Sequence, residues 1–162
     1  MISADLTIRP AAEADLSLIA SLVRELAEYE NLADQAVATE VDFQMALFGA
    51  EPKAHALIVE DDGKPAGFAI YFYGFSTFLG RPSLYVEDVF IRRQYRRNGF
   101  GKAIFKYLAK KAVVENCGRV EWSVLDWNEP AILFCRGMGA VSMNEWTVQR
   151  LTGDALKTFA AS

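Results

Sequence analysis

The chain has 162 residues, 17 basic and 21 acidic, for a formal net charge of −4, with 52% hydrophobic and 23% charged side chains. That length suits one domain over 1–162 that buries about 68–70% of its unfolded surface, and the composition excludes disorder and fibrous repeats. Two cysteines without CxxC spacing and a single histidine exclude a disulfide framework and an HExxH zinc site, leaving no metal expected and a reducing, cytoplasmic setting. Along the chain, Met1–Arg9 alternates without the apolar run of a signal peptide, and Leu6–Arg9 reads as a strand broken by Pro10. Asp15 reads as the N-cap of a helix through Leu16, Ile19, Ala20, Val23, Leu26 and Ala27, ending near Tyr29–Asn31. Thr39–Asp42 has the form of a capping box and opens a helix to Phe48. His55–Glu60 and Pro65–Tyr73 form a hairpin about the Asp61–Lys64 turn. The uncharged stretch from Pro65 to Gly80 is broken by glycines and polar residues and falls short of the roughly 20 apolar residues of a spanning helix. Ser83–Ile91 is a further strand; Gly99 and Gly101 lead into a helix with Phe100, Ile104, Tyr107, Leu108 and Ala112 on one face. Arg119–Val124 is a strand, Pro130 opens a helix ending at Gly137–Gly139, and a last strand at Trp146–Arg150 precedes a helix over Leu151–Phe159. This order predicts an α/β chain, a mixed sheet covered by helices on both faces.

Charge is unevenly distributed. Residues 1–91 carry 15 acids against 5 bases, residues 92–111 carry eight bases and no acid, and residues 112–162 carry six acids and four bases. One basic segment in an acidic protein points to a polyanionic ligand held at one place; a nucleic-acid partner calls for a basic domain and is not expected. Lys106, Lys110 and Lys111 read as a solvated helix face, whereas Arg96–Lys102 sits at a strand-to-helix turn.

Several motifs fail. Gly99–Ile104 lacks the last glycine of GxGxxG, Gly101-Lys102-Ala103 lacks the hydroxyl residue of a Walker A loop, and Gly74–Phe78 lacks the closing glycine of a nucleophile elbow. What holds is Arg96-Arg97-Asn98-Gly99-Phe100-Gly101. Glycines let successive N–H groups converge at a helix N-terminus, where a pyrophosphate is bound and arginines add charge. An ordinary glycine turn with solvated arginines is the other reading of these six residues.

Placed after a strand bearing Glu87 and Asp88 and before Asn128-Glu129-Pro130-Ala131, this motif resembles the acyl-CoA N-acyltransferase (GNAT) superfamily. Ile8–Ala11, Glu25–Glu30, Leu84–Asp88, Trp127–Pro130 and Gly139-Ala140 resemble its diamine (spermidine/spermine) N-acetyltransferase branch. The resemblance implies a mostly antiparallel central sheet with a splayed central strand pair, and acetyl-CoA as cosubstrate. Val89, Phe90 and Ile91 would offer backbone to the pantetheine arm. Arg97, Asn98, Gly99, Phe100, Gly101 and Lys102, assisted by Arg96, would hold the pyrophosphate, and Asn128 would contact the cofactor or simply cap its helix. Glu87 occupies the position of the catalytic base, acting through water. Glu87 and Asp88 are neighbours on a strand and so face opposite sides; each is also open to an ordinary ion-pair reading. Tyr29, Glu30, Glu87, Asp88 and Trp146 match acceptor-binding positions, where anionic and aromatic walls suit a cation. One departure stands out: Cys135 takes the place of the family's proton-donating tyrosine, and a thiol is a weak donor. Cys135 is expected near the CoA sulfur and dispensable, with Tyr85 as an alternative hydroxyl.

The resemblance therefore implies acetyl transfer to a primary amine of a small cationic acceptor, polyamine-like, by direct attack in a ternary complex, in a homodimer with no membrane partner. Three alternatives remain: the same chemistry on a lysine-like amino acid (Arg24 then pairing its carboxylate) or a protein N-terminus, a weakened acetyl-CoA sensor, and, least favoured, a nucleic-acid module on Arg92–Lys111.

Overall fold

The computed structural model describes residues 5–162, so the first four residues of the alternating Met1–Arg9 segment lie outside the described residues. The chain forms two compact units, one running to Ser123 and one from Val124 to Ser162. The first holds five strands, β1 (Leu6–Pro10), β2 (His55–Asp61), β3 (Lys64–Ser76), β4 (Arg81–Ile91) and β5 (Arg119–Trp122), and three helices, α1 (Leu16–Tyr29), α2 (Glu40–Phe48) and α3 (Phe100–Val114). The sheet order is β1-β2-β3-β4-β5. All neighbours are antiparallel except β4 and β5, which run parallel. The mixed, mostly antiparallel sheet expected from the sequence is therefore present.

Strand alternation divides the apolar side chains between two cores. Leu57, Val59, Ala69, Tyr71, Leu84 and Val86 pack with Phe100, Ile104, Leu108 and Ala112 of α3 on one face. Ala56, Ile58, Phe68 and Ile70 pack with Ile19, Leu22 and Leu26 of α1 and Leu47 of α2 on the other. Each large apolar side chain so buried contributes about 1.5–3 kcal/mol, which makes the helix pattern a packing requirement. The α3 face matches the expected one except Tyr107, which is only partly buried. The far end of α3 is tied to the sheet: the Tyr73 hydroxyl donates to Glu115, which also pairs with Lys111 at 2.7 Å. The lone histidine, His55, stacks on Tyr71 with centroids 5.2 Å apart.

Helix starts agree with the sequence in position but not always in cause. Thr39 and Asp42 form the expected capping box, Asp42 N–H to Thr39 Oγ1 at 3.3 Å and Thr39 N–H to Asp42 Oδ2 at 2.8 Å. Asp15 precedes α1 but makes no side-chain cap bond to it. Its carboxylate instead accepts from the Ala12 N–H and pairs with Arg9, both at 2.8 Å. Arg9, on β1, offers charge as well as donors, and so outcompetes a neutral cap bond.

The register of β3 and β4 changes partway. Ile70 faces Asp88 and Tyr71 faces Val86, so Glu87 is an extra residue with no partner, a β-bulge. The bulge inverts the facing of the strand: Leu84 and Val86 enter the α3 core, while Phe90 enters the α1 core. Opposite facing of Glu87 and Asp88, expected from simple alternation, therefore does not apply. Beyond the bulge the strands approach so closely that a Cβ on Gly67 would collide with the Phe90 carbonyl. The β4–β5 ladder ends at Val86 and Trp122, while β4 stays paired with β3 to Ile91 and its other edge has no ladder partner there among the described residues.

The second unit contains α4 (Glu129–Gly137) and α5 (Gly153–Ala160). The strand expected at Trp146–Arg150 is not formed; these residues have no ladder partner among the described residues, and Trp146 and Val148 are exposed. Alternation gives a segment strand propensity, but a strand exists only where another backbone supplies its hydrogen bonds.

Candidate active site

The turn between β4 and α3 has two left-handed residues, Arg97 at φ 65° and Gly99 at φ 82°. Gly99 is the N-cap of α3 and no side chain caps the helix. Among the described residues the N–H groups of Gly99, Phe100, Gly101 and Lys102 have no backbone acceptor. Left-handed residues next to a helix start gather amides into an anion-binding concavity, and the helix dipole adds partial positive charge. Arg93, Arg96 and Arg97 line an adjoining cavity of about 380 Å³. None of the three makes an ion pair among the described residues, whereas Arg92 is spent on Glu25 at 2.7 Å. Uncompensated guanidinium groups beside unpaired amides fit a diphosphate, the group acetyl-CoA would place there. Asn98 lies within this turn, and Lys102 lies in the first turn of α3.

Along β4, the Arg92 N–H donates to the Ala66 carbonyl at 2.9 Å, which fixes the parity of the ladder. Phe90 and Asp88 then spend their backbone on β3, while Val89 and Ile91 turn theirs to the unpaired edge. The Ile91 carbonyl is taken by Nε of Arg96 at 2.8 Å. Val89 and Ile91 are thus placed to bond an extended ligand arm along this edge. Phe90 is placed differently: its ring, buried with the α1 core, lies 6.5 Å from that of Tyr29.

Three carboxylates meet where the bulge faces the end of α1. Glu87 is exposed at the bulge and Asp88 is half-buried. Burial, followed by the charges of Glu87 and Glu30, pushes the Asp88 carboxyl up to about 6. Burial raises Glu30 as well. Among the described residues none of the three makes an ion pair. The arrangement can accept an ammonium and take a proton from it.

The acetyltransferase (GNAT) family model matches residues 19–140. The chain belongs to this family. A thialysine N-epsilon-acetyltransferase of Bos taurus is 35% identical, over 94% of this chain and 96% of the relative. An L-ornithine N5-acetyltransferase of Arabidopsis thaliana is 34% identical, over 93% of this chain and 86% of the relative. Among solved structures, an integron cassette protein from the mobile metagenome of V. cholerae superposes with a TM-score of 0.82 at 26% identity, covering 98% of this chain and 99% of that one. The GNAT chain is therefore an acetyl-transferring enzyme, and its family uses acetyl-CoA.

Other residues singled out in the sequence have local roles in this GNAT chain. Asn128 is buried and caps α4, its side chain accepting from the Ala131 N–H at 3.4 Å. Cys135 is half-buried in α4 and forms no disulfide. Trp146 stands exposed in the irregular segment between α4 and α5. Tyr85 shares a hydrogen bond with Ser123 at 2.8 Å, under the ring of Phe72. Arg24 is exposed on α1, and the cation at Tyr29 is instead Arg96, with its guanidinium carbon 4.5 Å from the ring centroid. No local pattern marks that contact, because 66 residues separate the two in the chain. Among the described residues no helix is long and apolar enough to cross a membrane.

Proposed function

We propose that this acetyltransferase carries the acetyl group of acetyl-CoA to the terminal amine of a small cationic acceptor, with a lysine- or ornithine-like amino acid ahead of a polyamine. The observation that carries it is the Glu30–Glu87–Asp88 trio, an unneutralised anionic site at the unpaired edge of β4. The thialysine and ornithine enzymes among its relatives favour the amino-acid acceptor over the polyamine first expected. Acetyl-CoA supplies an activated thioester; the turn at 97–102 holds its diphosphate and the amides of Val89 and Ile91 its arm. An ammonium has no lone pair, so Glu87, exposed and unpaired at the bulge, takes a proton through water while Asp88 and Glu30 hold the cation. The amine lone pair then forms the C–N bond, the C–S bond breaks, and the sulfur leaves with the electron pair and acquires a proton. Within this reading Asn128 and Trp146 contribute to cofactor and acceptor binding, Cys135 is dispensable, and the enzyme is a homodimer.

The deciding experiment is acetyl-CoA turnover with lysine, thialysine, ornithine, spermidine and short peptides, run beside Glu87→Gln. Amino-acid acceptors are expected to be used first, and Glu87→Gln to lower kcat by about 10²–10⁴-fold. Turnover of peptides alone, or an unchanged kcat in Glu87→Gln, would refute the reading.

A further inference from the structure

The hairpin of β3 and β4 reaches past the strand beside it. β2 joins β3 only from His55 opposite Tyr71 onward. Just before His55, the N–H groups of Lys53 and Ala54 go to the Ala46 carbonyl of α2, at 2.7 and 3.3 Å, and draw the chain off the sheet. Phe72–Ser76 therefore have β4 on one side and, among the described residues, no ladder partner on the other. The Arg92 N–H reaches the Ala66 carbonyl and the Ala11 N–H reaches the Ala56 carbonyl, both at 2.9 Å. Both bonds give β3 the same parity: even-numbered residues turn their backbone to β4 and odd-numbered ones turn it away. Tyr73 and Phe75 thus present N–H and C=O groups at an open edge.

The side chains along this edge are aromatic and uncharged. Tyr73 and Phe75 continue the face of Tyr71, which packs in the α3 core. Tyr73 is held over the end of α3 by Glu115, whereas Phe75 is 66% exposed and Phe78, in the turn that follows, 99%. No charge occurs between Pro65 and Gly80. The outer strands of the sheet are built otherwise: β1 carries Arg9 and Pro10, and β5 is four residues long with Arg119 and Glu121. Charge, proline and shortness are the usual means of blunting an edge, and an edge without them is one to be covered. Tyr73, Phe75, Phe78 and Leu79 expose roughly 500 Å² in each copy, so pairing two copies buries about 1,000 Å², the area a specific contact needs.

We propose that this edge joins two copies of the chain, β3 against β3, antiparallel about a two-fold axis at Gly74. The edge is complementary to itself. Tyr73 exchanges backbone hydrogen bonds with Phe75 of the partner subunit, and Phe75 does so with the partner's Tyr73, which also sets two aromatic pairs across the strands. Gly74 meets its own copy in a non-hydrogen-bonded pair, where backbones approach to about 4.5 Å, and its missing side chain leaves the axis uncrowded. A two-fold contact closes at two copies and uses up the edge. The inference rests on the homodimer reading above and names the surface that forms the dimer.

The test is the mass of the full chain in solution by sedimentation equilibrium, with circular dichroism to show that each variant is folded. Wild type should be a dimer at about 10 μM, and Phe75→Lys should weaken it at least about 100-fold, because the axis makes the substitution count twice and puts two charges on an apolar face. Gly74→Cys gives a second readout. Cysteines across a non-hydrogen-bonded pair lie within disulfide reach, so mild oxidation should link two copies through residue 74, as read by peptide mapping. A dimer that survives Phe75→Lys and forms no bond through residue 74 would overturn the proposal and leave the homodimer reading standing. A wild type that stays monomeric at about 100 μM, its edge open or covered by Trp146–Arg150 of the same chain, would overturn both. Assemblies larger than a dimer would overturn the closed two-fold pairing.

Discussion

Two ends of one short segment solve opposite problems. At the bulge of β4, Glu87 and Asp88 join Glu30 in a site where burial is used against charge, so that Asp88 holds its proton up to about 6. A few residues on, Arg93, Arg96 and Arg97 surround an open cavity with charge that no described acid neutralises. The acidic end is built from side chains on fixed elements, the basic end from backbone amides in a left-handed turn. The acidic site should therefore be sensitive to pH and the basic one to backbone conformation.

Gly99→Val should give the largest effect. At φ 82° an L-residue is disfavoured by about 1–2 kcal/mol, and a β-branched one by more. The turn would open and its amides diverge, removing two or more hydrogen bonds to a charged group at about 1.5–3 kcal/mol each. Acetyl-CoA affinity is expected to fall at least about 100-fold while the thermal transition moves by only a few degrees. Retained affinity in a folded variant would show that the amides are not what holds the diphosphate.

Asp88→Asn tests the acidic end. The folded chain holds this proton more tightly than an unfolded one, where the carboxyl titrates near 3.9. The stabilisation from that proton is complete below about pH 4 and is lost as the pH rises through about 6. Wild type should lose about 2 kcal/mol over that window relative to Asp88→Asn, read by urea unfolding at pH 4 and pH 7. In turnover the sign reverses, because only the ionised form attracts an ammonium: acceptor KM in wild type should fall about tenfold from pH 5 to pH 7, and stay flat in Asp88→Asn. A pH-independent stability difference would mean that folding leaves the proton affinity of Asp88 unchanged.

These two ends also differ in how plainly the sequence announces them. The basic turn was readable because its parts are contiguous: glycines, arginines and a helix start lie within seven residues. Most of the fold was readable for the same reason, since alternation in β2 and β3 and the 3.6 period of α1 and α3 are local. The bulge at Glu87 was not, because it is a property of the pairing with Ile70 and Tyr71 and leaves no mark in the β4 sequence alone. Arg96 over Tyr29, Arg92 on Glu25 and Asp15 on Arg9 are tertiary or competing contacts of the same kind. The absent strand at Trp146–Arg150 shows the converse, a local pattern with no partner to complete it.

Arg97 gives the smallest and most selective test of the basic end. It is a non-glycine residue at φ 65°, so its backbone carries strain that a surface arginine ordinarily avoids. Arg97→Ala keeps the Cβ and the strain, while Arg97→Gly removes both, and each deletes the guanidinium. The glycine variant should be more stable than the alanine variant by about 0.5–1 kcal/mol, after the added freedom of glycine in the unfolded chain is allowed for. Acetyl-CoA KM should rise by the same factor in both, about 2–5-fold for one exposed charge on a phosphate. Unequal KM values would mean that the conformation at 97 is itself part of the anion site. Equal stabilities would mean that the left-handed turn is held by its surroundings at no local cost.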